Sequence, residues 1–145
     1  MPFDIEQNSI GFLLSRTFYT YQKYLTNLLR DYSITPEQFG VIHQLRKHPG
    51  ISQKELAALH GKDQTSIGKT LDRLEKKELI IRSKDPSDRR AIKLFISPNG
   101  EEIYNTVSPM VQDLNNQLNQ LLTDNKSEQL IESLNEIFNN LSSSK

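Results

Sequence analysis

A chain of 145 residues is long enough for one domain with a real core, or for a small domain carrying helical arms, and too short for two full domains. At 35% hydrophobic and 25% charged it is polar for a self-sufficient globule, which points to apolar surface covered by a partner. The absence of cysteine excludes disulfides, thiolate zinc sites, cysteine nucleophiles and thiol redox sensing, and fits a reducing compartment, while Lys plus Arg balance Asp plus Glu at 18 each.

The opening MPFDIEQNSIGFLLSR places two acids ahead of a run of only five mostly apolar residues, IGFLL, which is neither a signal peptide nor a membrane span, so a soluble cytoplasmic protein is expected. Ile10, Leu14, Phe18, Tyr21, Leu25 and Leu28 then recur every three or four residues, the signature of a long helix with one apolar face, running to about Tyr32. In TPEQ, Thr35 is an N-cap, Pro36 the first helical residue and Gln38 the answering side chain of a capping box, with Phe39, Ile42 and Leu45 as the buried stripe. Pro49 and Gly50 break the chain, and SQKE restarts it with a second box, Ser52 to Glu55, ahead of a short helix whose apolar positions are Leu56 and Leu59.

After a turn containing Gly61, Asp63 caps a further helix with Ile67, Leu71 and Leu74 on one side and Thr65, Ser66, Lys69, Asp72, Arg73 and Lys76 on the others. Two short helices joined in this way have the layout of a helix-turn-helix. LIIRS and AIKLFIS are β-rich runs flanking KDPSDRR, which predicts a hairpin with the arginines at its tip. Ser97-Pro98 opens the last helical region, with Ile103, Val107, Met110, Leu114, Leu118 and Leu121 at near-heptad spacing. Asp124 and Asn125 interrupt it, Leu130, Leu134, Phe138 and Leu141 resume it, and residues 142–145 are expected to fray. A small central domain cannot cover the terminal stripes, whereas two copies crossing their first and last helices can, so a two-fold dimer is expected.

Equal charge totals conceal an uneven distribution. Lys62 to Lys93 carries 10 basic and 6 acidic residues, a net of +4, while Leu94 to the end carries 2 basic and 7 acidic, a net of −5. A helix-turn-helix places the N-terminal half of its second helix in the major groove, where Gln64, Thr65, Ser66 and Lys69 can reach base edges and Arg73 the phosphates. Lys62 completes the basic set on this side. A hairpin directly behind that helix runs alongside the duplex, and Arg89 or Arg90 at its tip can enter the narrow, electronegative minor groove, with Asp88 holding the Arg90 guanidinium in one orientation. The expected architecture is therefore mainly α with a small β-hairpin wing: a dimerisation helix over 1–33, a winged helix-turn-helix over 34–97 and dimerisation helices over 98–145.

The run SQKELAALHGKDQTSIGKTLDRLEKKELIIRSKDPSDRRAIKLFISPNG, with ITPEQFGVI before it, resembles the multiple-antibiotic-resistance regulator (MarR) family of winged helix-turn-helix transcription factors. The likeness runs from about residue 10 to the end, with its specific motifs between residues 34 and 100. In that family an Asp-x-Arg unit in the wing supports minor-groove insertion of the arginine, which corresponds to Asp88 and Arg90. The family's recognition-helix contacts fall on QTSIGK. The resemblance implies a dimer that binds near-palindromic double-stranded DNA, commonly represses by covering a promoter, and is released by a small-molecule effector. Two departures stand out: Gly68 occupies a position usually held by a hydroxyl residue, and Glu78 one where a glycine usually ends the recognition helix.

Competing classes find little support. GKDQTSIGKT ends in Gly-Lys-Thr, but six residues separate Gly61 from Gly68 where a phosphate-binding loop needs four before Gly-Lys, and a helix rather than a strand precedes it. His43, His48 and His60 lack partners at metal-ligand spacing, and no Gly-x-Ser-x-Gly or dinucleotide fingerprint is present. No catalytic residue, metal ligand or cofactor is expected. The alternative carried forward is a winged-helix module that binds protein rather than DNA.

Overall fold

The computed structural model describes residues 2–143, with the side chains of Arg89 and Arg90 excepted. All four helix starts read from the sequence are made by the expected side chains. Thr35 accepts from the Gln38 amide and Gln38 from the Thr35 amide, opening α3 (Pro36–Lys47), and Ser52 and Glu55 form the same reciprocal pair at α4 (Gln53–His60). Asp63 caps α5 (Gln64–Lys76), and Ser97 caps α6 (Pro98–Leu121) with Pro98 at its first position. Ahead of them lie a single turn, α1 (Ile5–Asn8), which the apolar pattern did not indicate, and the long α2 (Ile10–Leu29). The predicted run to Tyr32 holds, but its last turn, Arg30–Tyr32, tightens to 3-10 geometry. The C-terminal α7 (Lys126–Ser143) follows a break that includes Asp124 at φ 59. Ser142 and Ser143 continue this helix instead of fraying; Ser144 and Lys145 lie outside the described residues.

The core is the interior of the central helices. Val41, Ile42 and Leu45 of α3, Leu56 of α4, Ile67, Leu71 and Leu74 of α5, and Leu94 of the hairpin are fully buried, joined by Leu29 and Val107 from the long helices. Burying such side chains stabilises by roughly 1.5–3 kcal/mol each, which sets the packing of this domain. Leu59 is a correction. It is 47% exposed, and Ala57 lies inside in its place, because a helix this short turns only one narrow face to α3 and α5.

The hairpin pairs β1 (Ile80–Asp85) with β2 (Asp88–Ile96) in antiparallel register from Ile80 opposite Ile96 to Lys84 opposite Ile92. Beyond that point β1 advances one residue to Asp85 while β2 steps back from Ile92 to Asp88, so the ladder is irregular where the arginines lie. The turn itself is Pro86 and Ser87, whose amide and hydroxyl donate to the Asp85 carboxylate. Arg89 and Arg90 therefore belong to the second strand and not to the tip, a second correction. The hairpin is fastened at its base. On the free edge of β2 the Leu94 amide donates to the Ile51 carbonyl and the Leu94 carbonyl accepts from the Gly50 amide, while the Ser97 hydroxyl donates to the Glu78 carbonyl. A Cβ on Gly100 would run into the Leu79 carbonyl oxygen, so α6 starts against the first strand only because that residue has no side chain.

The terminal helices divide along their length. Leu25, Leu29, Val107 and Leu114 join the core, but Ile10, Leu14, Phe18, Leu118, Leu121, Leu130, Leu134, Phe138 and Leu141 are exposed in the single chain. Among the described residues no helix is long and apolar enough to cross a membrane.

Candidate nucleic-acid interface

The turn between α4 and α5 is set by Gly61, which adopts φ 63 and closes α4 with its amide on the Ala57 and Ala58 carbonyls, a left-handed cap. Asp63 follows in extended geometry, its carboxylate accepting the Ser66 amide at 2.7 Å. That bond holds the Asp63 carboxyl below its ordinary value, so the cap stays ionised and presents α5 with its N-terminus outward. Gln64, Thr65, Ser66, Lys69 and Arg73 are all exposed, with Thr65, Lys69 and Arg73 four residues apart along one stripe and Ile67, Leu71 and Leu74 facing the core. The Gly-Lys-Thr run is thus the middle of a helix, and Thr70 is buried, donating to Glu37 at 3.0 Å.

Close packing of the two short helices explains Gly68. A Cβ there would stand 3.0 Å from Nε2 of Gln53, which donates at 2.9 Å to the Gln64 carbonyl and so ties α4 to the first turn of α5. Glu78 resolves the other departure: it adopts φ 62, the left-handed geometry for which glycine is favoured, as the chain leaves α5 for the hairpin.

Lys62 is placed at this surface but is already engaged, its Nζ lying 3.1 Å from Glu37 Oε1. Any phosphate it meets competes with that carboxylate. Asp88 is exposed in β2; the expected pairing of Asp88 with Arg90, and the reach of Arg89 and Arg90, fall on side chains outside the described residues.

Sequence reasoning missed the residue that joins the two reading elements. Arg82 of β1, 21% exposed, sends its guanidinium to Asp72 Oδ1 at 2.7 Å, Glu75 Oε1 at 3.3 Å and the Gly68 carbonyl at 3.4 Å, bracing the hairpin against α5. The available signal was the acid pair Asp72 and Glu75, one helical turn apart within an otherwise basic segment. His60, at the end of α4, is partly buried with Nε2 enclosed and unbonded; burial pushes its pKa down, against an opposing pull from Glu37. Among the described residues no cluster of three or more His, Asp or Glu side chains is arranged to hold a metal ion.

Residues 34–92 match the family model described as MarR family. The chain is 27% identical over 113 residues to the HTH-type transcriptional repressor NicR of Pseudomonas putida, covering 78% of this chain and 71% of that protein. It is 25% identical over 134 residues to the HTH-type transcriptional regulator SarZ of Staphylococcus epidermidis, covering 90% and 89%. Among solved structures, a MarR variant from E. coli complexed with operator DNA superimposes with a TM-score of 0.81 at 26% identity, covering 88% of this chain and 92% of that one.

Proposed function

The chain belongs to the MarR family, and from that premise we propose that it is a dimeric, sequence-specific reader of double-stranded DNA that represses transcription by covering its operator. The observation that carries the reading is the exposed, capped N-terminal half of α5, on a helix whose later turns Arg82 braces to a hairpin whose second strand holds Asp88, Arg89 and Arg90. In this reading Gln64, Thr65, Ser66 and Lys69 meet base edges in the major groove, Lys62 and Arg73 meet phosphates, and Arg90, oriented by Asp88, enters the minor groove with Arg89 beside it.

The exposed stripes of α2, α6 and α7 are the surface a second copy covers, so that residues 1–33 and 98–145 form the dimerisation arms around a reading domain over 34–97. Two recognition helices related by a two-fold axis read a near-palindrome with half-sites roughly 10 bp apart. Family membership supports release by a small molecule that stabilises a spacing of the two lobes unsuited to the operator. A protein that reads the chromosome works in the cytoplasm.

The test is duplex binding as a function of salt. Fragments selected from random DNA should bind the purified protein with an affinity that falls steeply and log-linearly with salt, each phosphate contact adding about 0.9 to the slope. Binding that ignores salt, or no selection of duplex at all, sinks the proposal and favours a protein partner.

A further inference from the structure

We propose that Lys77 is the positioning residue that sets which half-site spacing this protein accepts, an inference that rests on the dimeric reading of DNA above. Lys77 is the C-cap residue of the recognition helix, and its ammonium lies 2.6 Å from the Ser33 carbonyl and 2.8 Å from Gln38 Oε1. Both acceptors are themselves held in place. Ser33 sits in left-handed geometry at φ 54, directly after the 3-10 turn that ends α2, its amide bonded to the Arg30 carbonyl. Gln38 is only 4% exposed, and the same Oε1 accepts the Thr35 amide, so its carbonyl is aimed by the α3 capping box. One charged group thereby pins the end of α5 to the end of α2 and the start of α3. Among the described side-chain hydrogen bonds, it is the one that joins the residue capping the recognition helix to the residue that closes the first long helix and its 3-10 turn.

The junction lies at the rim of the core: Leu74 is fully buried one turn back along α5, while a surface cleft of about 400 Å³, lined by Tyr32, Lys77, Leu79, Glu102 and Ile103 among others, opens beside Lys77. Leverage turns a small tilt into a spacing change. Lys77 is 12 residues from Thr65, about 18 Å along a helix, so a tilt of about 10° at the Lys77 end carries the reading end through about 3 Å. That is close to the roughly 3.4 Å rise of one base pair. The two ammonium contacts are therefore placed to decide whether each lobe holds one register or drifts between neighbours. Arg82 bonds Asp72, Glu75 and Gly68 of α5 and not the end of α2, so it braces the wing without fixing this angle.

The experiment uses the full-length protein and duplexes selected by the wild type from random DNA, remade with the half-sites one or two base pairs closer or farther apart. For the wild type a one-base-pair change should weaken binding about tenfold or more. For Lys77→Met that loss should shrink to about threefold or less, with affinity for an isolated half-site unchanged, while Lys77→Arg, which can serve both acceptors, keeps the wild-type profile. Because the chain has no cysteine, a spin label on a single Thr65→Cys substitution, at the end of α5 that swings, reports in the absence of DNA the distance between the two reading ends, and Lys77→Met should broaden it. Should Lys77→Met fail to fold by circular dichroism, Lys77→Gln, which retains a donor with shorter reach, is read the same way. A Lys77 variant that binds every spacing more weakly by one common factor, or one that leaves the profile unchanged, overturns the proposal. A wild type indifferent to spacing removes the dimeric reading beneath it instead.

Discussion

Replacing Arg82 with Met keeps the length of the side chain and removes the guanidinium that joins hairpin to recognition helix. The structure bounds the cost in stability. Asp72 is 69% exposed and Glu75 48%, so both carboxylates return to water when their partner leaves, and no charge is stranded in the interior. What is lost is a surface-facing, charge-assisted contact dominated by the 2.7 Å bond to Asp72, worth about 1 kcal/mol net, or a fall in Tm of about 3 °C for a chain of this size at fixed protein concentration. Binding should suffer more than folding. An unbraced hairpin no longer holds its strand at a set distance from α5, so the ordering of the wing must then be met on the DNA, at about tenfold or more in Kd. Urea unfolding and fluorescence anisotropy on one selected duplex read the two quantities side by side. Because Arg82 acts through the wing, Arg82→Met in an Arg90→Ala background should cost little further affinity. A stability loss above about 3 kcal/mol, or losses in affinity that simply add in the double variant, refutes the reasoning.

Gly100→Ala should be severe, costing about 3 kcal/mol or abolishing expression of folded protein, since its Cβ meets the Leu79 backbone rather than a movable side chain; denaturant unfolding decides it. Gly68→Ala should stay within about 1 kcal/mol of wild type, the gain in helix propensity offsetting displacement of Gln53 from the Gln64 carbonyl, and a crystal structure should show Gln53 turned away. Burial lowers the pKa of His60, and of His43, so the folded state resists their protonation: stability is whole above the ordinary histidine value of about 6.5 and declines as pH falls from there through the lowered folded values. His60→Gln should flatten part of that decline in urea midpoints measured from pH 7.5 to 5. Lys69→Ala should relax sequence preference, whereas Arg73→Ala should weaken selected and scrambled duplexes alike and reduce the salt slope by about 1.

Local chemistry was legible from the residues and long-range chemistry was not. Thr35, Ser52, Asp63 and Ser97 declare their helices because a cap and its amide sit within three residues of one another. Ile67, Leu71 and Leu74 declare a buried face through spacing alone, and all three are fully buried. Leu59 defeated the same rule, because spacing gives a face but not how much of it a neighbour covers. Placing the arginines at the hairpin tip failed for a related reason: Pro and Asp mark a turn without fixing which two residues make it, and Pro86 and Ser87 do. Of the candidate reading residues, Gln64, Thr65, Ser66, Lys69 and Arg73 share the exposed side of α5, while the engagement of Lys62 by Glu37 joins positions 25 apart and has no local signal. Arg82 on Asp72 and Lys77 on Ser33 belong to the same kind; each is a contact that only the folded path of the chain creates.

The central claim is that each half of a symmetric dimer engages both grooves of one duplex, and footprinting of the selected operator tests it most directly. The account predicts two major-groove protections about one helical turn apart, flanked by minor-groove protections that vanish in Arg90→Ala while the major-groove pair persists. A single protected patch, or minor-groove protection that survives the loss of Arg90, contradicts it.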